Sequence, residues 1–162
     1  METKETQLVV FQLSTEEYGV PIIQVEEIIR IPGITRIPNM PNFIEGVINL
    51  RGRIIPIVDL RRRFKLEEKG RNEESRIIIG KIAVTIEKQE EQSVGLIVDS
   101  VTEVLRVNKE MVEPIPPTIS YIDMQYLNGV VKLENRLIIL LDLSKVLTEL
   151  EKETLKTQIS TR

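Results

Sequence analysis

Two aspartates stand where acid–base chemistry would have to begin. Asp59 and Asp142 each close an apolar run and precede a leucine, in DLRRRF and DLSKVL. Two carboxylates in equivalent places suggest a dyad of the aspartic-protease kind, in which facing carboxyls share a proton. Such dyads sit on tight loops of small residues. Here Leu60 and Leu143 follow, with no glycine or Ser/Thr-Gly behind them. Both aspartates are therefore assigned to helix capping, as acceptors for the backbone N–H groups of the next turn. Other reagents are missing. The chain has no His, Cys or Trp, which removes imidazole bases, thiol nucleophiles, disulfides and His/Cys zinc sites. No catalytic residue, metal or cofactor is expected.

Charge on a turn is the second chemical feature. Asn49-Leu50-Arg51-Gly52 separates two apolar runs, and an arginine on such a tip offers a fixed fork of donors to a carboxylate or carbonyl. The bland alternative is a solvated turn arginine. From Ile28 to Lys65 there are eight basic residues and two acidic ones, giving +6, so the rest of this −3 chain carries −9. Only Phe43 and Phe64 lie in that basic stretch. Stacking platforms for nucleic acid are lacking, and an acidic protein surface is the expected partner. The glutamate pairs at 16–17, 26–27, 67–68, 73–74 and 90–91 read as solvated faces and turns, Glu27 excepted.

The elements that must position these groups are β-strands. Among 162 residues there are 24 Ile and 16 Val against a single alanine, Ala83. β-branched side chains suit a pleated surface and alanine suits a helix. The pattern predicts strands at 7–13, 17–20, 46–50, 53–58, 76–80, 83–87, 94–98, 129–133 and 136–141. Two tight hairpins are expected, at 49–52 and 133–135, with Gly52 and Asn135 suited to positive φ. Helical turns are predicted at Val25–Ile29 and Val101–Leu105, and a helix at 144–157 capped by Ser144. Residues 66–75 read as a solvated connector between two halves. The METKETQ start is too polar for a signal peptide. No apolar run approaches the ~18 residues of a membrane span, so a soluble cytoplasmic protein is expected.

The chain also repeats itself. FIEGVINLRGRIIPIVDLRRRF at 43–64 aligns with YLNGVVKLENRLIILLDLSKVL at 126–147, with seven of 22 positions identical and an offset of 83. Upstream, GVPIIQVEEIIRI at 19–31 aligns with GLIVDSVTEVLRV at 95–107, offset by 76. Block order is the same in both halves. Units this small bury too little to stand alone, so two small barrels packed about a pseudo-two-fold axis are expected.

These four blocks, with FQLSTEEYGVPIIQVEEII and ITRIPNMPNFIEGVINLRG leading the first half, resemble the CheW family of bacterial chemotaxis coupling proteins. The resemblance runs along nearly the whole chain. It implies a mainly β fold of two intertwined five-stranded SH3-like barrels. One domain would span 1–162, with barrels at roughly 14–65 and 76–147 and with strand 7–13 and helix 144–157 crossing between them. It implies a non-catalytic adaptor joining the cytoplasmic tip of chemoreceptors to the regulatory domain of the histidine kinase CheA. Such a protein is cytoplasmic, recruited to receptor arrays, and neither binds nucleic acid nor inserts into the membrane. By motif, the receptor-facing residues would be Val25 and Glu27 of VEEI and Asn49, Arg51 and Gly52 of NLRG. No short motif marks the kinase contacts. The competing reading is a stand-alone regulatory module from a CheA-type kinase or a CheW–receiver fusion.

Overall fold

The computed structural model describes residues 5–67, 70–85, 90–115, 127–147 and 151. In chain order the strands are β1 (Glu5–Leu13), β2 (Glu16–Pro21), β3 (Val25–Arg30), β4 (Ile44–Leu50) and β5 (Arg53–Asp59), followed by a one-turn helix α1 (Leu60–Arg63). Then come β6 (Arg76–Thr85), β7 (Glu90–Val98), β8 (Ser100–Asn108), β9 (Val112–Glu113), β10 (Leu127–Leu133) and β11 (Arg136–Leu141). They form two sheets, ordered β3-β6-β7-β5-β4 and β8-β1-β2-β11-β10-β9.

The repeat explains these orders. The offset of 83 carries β4 and β5 onto β10 and β11, and the offset of 76 carries β2 and β3 onto β7 and β8. Applied to the five-stranded sheet, the two offsets place β8, β2, β11 and β10 in the same order in the other sheet, where β1 takes the place of β6 and β9 is added at the end. The parallel pairings match as well, β5 with β7 and β11 with β2. Gly46 and Gly129 are equivalent under the offset, and both sit at bulges with φ of 151° and 143°. At each, a Cβ would press on a backbone carbonyl oxygen, that of Thr35 or Glu113. That is why glycine stands in both copies.

Alternate residues of a strand face different cores. Ile55 and Ile57 of β5 and Ile77 and Ile79 of β6 pack inside the five-stranded sheet. Leu8 and Val10 of β1 and Ile138 of β11 pack inside the six-stranded one. Between the sheets lies a third core, drawn from both: Val9, Phe11 and Tyr18 meet Val58, Ile78 and Leu96. Burial on both faces is what the continuous apolar runs were for. Tyr18 stacks between Phe11 and Phe64, each ring centroid 5.8 Å away. Arg63 adds a polar tie where the halves meet. It donates from Nε to the carbonyl oxygen of Val146, its own counterpart in the repeat, at 2.8 Å.

Several expectations need correction. Val25–Ile29 and Val101–Leu105 are strand, within β3 and β8, and not helical turns. One turn of helix is unstable alone, whereas β6 and β1 offer these β-branched segments a complete ladder. The strands expected at 76–80 and 83–87 are one strand as far as Thr85; residues 86–87 lie outside the described residues. Instead of a helix starting at Ser144 there is a 3-10 turn at Leu143–Lys145, capped by Asp142; of the rest, 148–150 and 152–157 lie outside the described residues. Asn135 does not adopt positive φ, whereas Arg51 does, at 51°.

The division into barrels at 14–65 and 76–147 is not how the strands are shared. The five-stranded sheet takes the continuous stretch β3–β7, and β1 and β2 complete the sheet of β8–β11. Segment 66–75 therefore joins strands of one sheet and does not link two halves.

Candidate functional site

The β4–β5 hairpin closes through Arg51 and Gly52, with φ of 51° and 85°, between the paired residues Leu50 and Arg53. Positive φ at both central residues makes this a hairpin turn of matched twist. Asn49 braces it, its Oδ1 accepting from the Gly52 N–H at 2.9 Å. Gly52 and Asn49 thus have clear structural work. Arg51 is held out from the tip, with its side chain 65% exposed.

The arginine fork finds its carboxylate within the chain. Nη1 of Arg51 donates to Oε1 of Glu27 at 3.2 Å and Nη2 donates to Oε2. β3 and β4 are the two edges of the five-stranded sheet, so this pair ties one edge to the hairpin at the other. Hydrogen bonding to Arg51 holds the Glu27 carboxyl below its ordinary pKa, and Glu27 in turn raises that of Arg51. A bulge between Val25 and Glu27 leaves Glu26 to a second tie. Glu26 accepts from Arg53 at 3.4 Å and from the Ser93 hydroxyl. Val25 is half-buried and packs on the shared core.

Of the five candidate residues, four therefore meet at one place: Glu27 across from Arg51, on a turn shaped by Asn49 and Gly52. Val25 begins the same strand as Glu27 and leans on the core beneath. Two residues escaped the sequence reading. Ile28 and Ile54 are 39% and 47% exposed on β3 and β5. Strand alternation would have placed Ile28 outward had β3 been read as a strand.

The other sheet carries a counterpart. Arg136, equivalent to Arg53, is bound by Glu17 on β2 and Glu103 on β8, at 3.0 and 2.7 Å. Those carboxylates raise its pKa, Glu17 foremost. Val104 and Leu137, the repeats of Ile28 and Ile54, are exposed there too. Neither Glu17 nor Glu26 is merely a solvated face.

The basic stretch is less available than its count suggests. Arg51, Arg53, Arg61, Arg62 and Arg63 are all ion-paired, with Glu27, Glu26, Asp99, Glu45 and Glu151 respectively. Most of the +6 is thus neutralised internally. The two aspartates cap their turns as expected. Asp59 accepts from the N–H groups of Arg61 and Arg62, and Asp142 accepts from that of Ser144. Among the described residues no group of three carboxylates is gathered for a metal, and no helix is long and apolar enough to cross a membrane.

Known proteins share this fold. A CheW-like domain matches residues 7–151. The chain is 37% identical over 150 residues to the chemotaxis protein CheW of Klebsiella aerogenes, covering 93% of this chain and 86% of that protein. To the chemotaxis protein CheW of Bacillus subtilis it is 36% identical over 140 residues, 86% and 85% of the two chains. The crystal structure of the scaffolding protein TtCheW from Thermoanaerobacter tengcongensis matches with a TM-score of 0.79 at 39% identity, over 91% of this chain and 90% of that one. With its duplicated two-sheet fold and a match over nearly its whole length, the chain belongs to the CheW family, non-catalytic coupling proteins of bacterial chemotaxis.

Proposed function

We propose that this chain is the cytoplasmic adaptor that joins a chemoreceptor tip to the regulatory domain of the histidine kinase CheA at receptor arrays. The observation that supports it is the Glu27–Arg51 pair, which joins β3 to the tip of the β4–β5 hairpin, with Ile28 exposed on β3 and Ile54 on β5. An amphipathic helix lying across such a surface takes affinity from apolar contacts and register from charge. The pair is already formed, so Arg51 meets a partner pre-oriented, with further N–H donors beyond those directed at Glu27. Val25, Asn49 and Gly52 act beneath them, as packing and turn geometry.

The test is binding of a receptor-tip hairpin and of the CheA regulatory domain, each measured against the chain and against Arg51→Ala. The variant is expected to lose receptor affinity by about 30-fold if the contact is desolvated and much less at a rim, with kinase affinity unchanged. A chain that binds neither partner refutes the proposal. One that binds the kinase domain and no receptor tip favours the stand-alone regulatory module.

A further inference from the structure

Within the described residues the chain passes between the sheets twice, and the two crossings are built differently. β2 leads into β3 through the 3-10 turn Ile22–Gln24, and β7 leads into β8 through Asp99 alone. The repeat makes them equivalent, aligning Ile23 with Asp99. Ile23 is 90% exposed. Asp99 is held from three sides. Its N–H donates to the Gln12 carbonyl oxygen at 3.0 Å, and its Oδ2 accepts from the Ser14 N–H at 2.8 Å. Its two carboxylate oxygens receive the Arg61 guanidinium, Nε to Oδ1 at 2.8 Å and Nη2 to Oδ2.

Arg61 itself is only 8% exposed, and its Nη1 donates to the Glu67 carbonyl oxygen at 2.6 Å. Asp99 thus ties α1, which continues the five-stranded sheet, to the β1–β2 turn of the six-stranded one. No such tie exists at the other crossing among the described residues. The counterpart of Arg61 is Ser144, whose hydroxyl turns back to Asp142 at 2.6 Å. Apolar contacts in the shared core are non-directional, whereas a bidentate charged pair fixes an angle. Arg63, also on α1, adds a second such tie to the chain after β11 through Val146 and Glu151, and neither tie reaches the crossing at 22–24.

We propose that Asp99 with Arg61 is the fixed pivot between the two sheets, and that the crossing at 22–24 is the compliant one. Any change of angle between the sheets then appears at β3, which begins at Val25 and carries Glu27. The pivot stands on geometry alone; only its consequence for those residues rests on the binding site proposed above.

The chain has no cysteine, so two introduced ones report the angle cleanly. Lys81→Cys on β6 and Lys132→Cys on β10 are exposed positions, one in each sheet. Spin labels there give a distance distribution by electron–electron resonance, with amide exchange measured in parallel. Asp99→Asn and Arg61→Met should each broaden the distribution about twofold and speed exchange at Ser14 and Asp99 about tenfold or more, with interior amides of β6 and β10 within about twofold. Ile23→Ser should leave the distribution as in the parent. Faster exchange at Ser14 and Asp99 with an unchanged distribution would reduce the pair to a local turn brace and overturn the pivot. So would equal broadening by Ile23→Ser. Should Arg61→Met unfold, the near-isosteric Asp99→Asn decides; general loss of protection there makes the pair a global support and refutes the proposal.

Discussion

Gly46→Ala against Gly129→Ala puts the duplicated architecture to a quantitative test. The two glycines are equivalent, and both hold a φ that an L-residue rarely adopts, a strain of about 1–3 kcal/mol each. Their surroundings differ. At Gly46 the new methyl would stand 2.2 Å from the Thr35 carbonyl oxygen and 2.9 Å from Ile34 Cγ2. Relieving that clash separates Thr35 from Val47, which exchange two backbone hydrogen bonds of 2.9 and 2.8 Å. Each such bond is worth about 1 kcal/mol net, so Gly46→Ala should cost about 3–5 kcal/mol. At Gly129 the methyl would meet the Glu113 oxygen at 2.7 Å, a milder clash than the 2.2 Å at Gly46, so the pairing of the two-residue edge strand β9 with β10 stretches and need not break. There the loss should be about 2 kcal/mol, mostly backbone strain. In a chain of this size each kcal/mol moves Tm by about 2–4 °C. The expected falls are therefore about 6–20 °C and about 4–8 °C. Thermal melts, with urea unfolding at unchanged m, give the comparison. Equal costs, or the larger cost at Gly129, would refute the reasoning that the Thr35 bridge sets the difference.

Three other outcomes are expected. In Arg51→Glu, glutamate faces Glu27 and receptor-tip binding should fall; the double swap Glu27→Arg/Arg51→Glu should recover the melt without recovering binding, and recovery of both would mean the pair acts only as a brace. The lowered Glu27 pKa means the folded state releases that proton more readily than the unfolded one, so its stabilisation is present above the unfolded pKa and is lost as pH falls through the folded one. Carbon-detected titration should thus place Glu27 below solvated glutamates and Arg51→Ala should return it to the ordinary value; an unmoved midpoint would deny the pairing in solution. The Tyr18 hydroxyl is buried with no hydrogen-bond partner among the described residues, and burial raises its pKa, with Glu16 adding to the effect. Tyr18→Phe should leave Tm equal or higher, and a fall beyond about 1 kcal/mol would reveal a partner such as a held water.

What could be read from the sequence alone is what neighbouring residues decide between themselves. Ile77, Ile78 and Ile79 in a row announce a strand buried on both faces, whatever its partners. Asp59 and Asp142 announce caps, because the groups they serve lie two or three residues away. The repeat announced two like units, since Gly46 and Gly129 answer to the same local bulge. Tertiary structure alone decided three other things. VEEII and VTEVL are strands because β6 and β1 lie alongside them, and pairing outweighs a one-turn helical tendency. The sheets divide as β3–β7 against the rest because the chain crosses at 22–24 and at Asp99, with no change of composition at either place. The basic stretch is largely neutralised because its carboxylates come from 17 to 88 residues away, as in Arg62–Glu45 and Arg63–Glu151. Coulomb attraction and hydrogen bonding act across a few ångströms of space, and only the folded chain says which residues are that close.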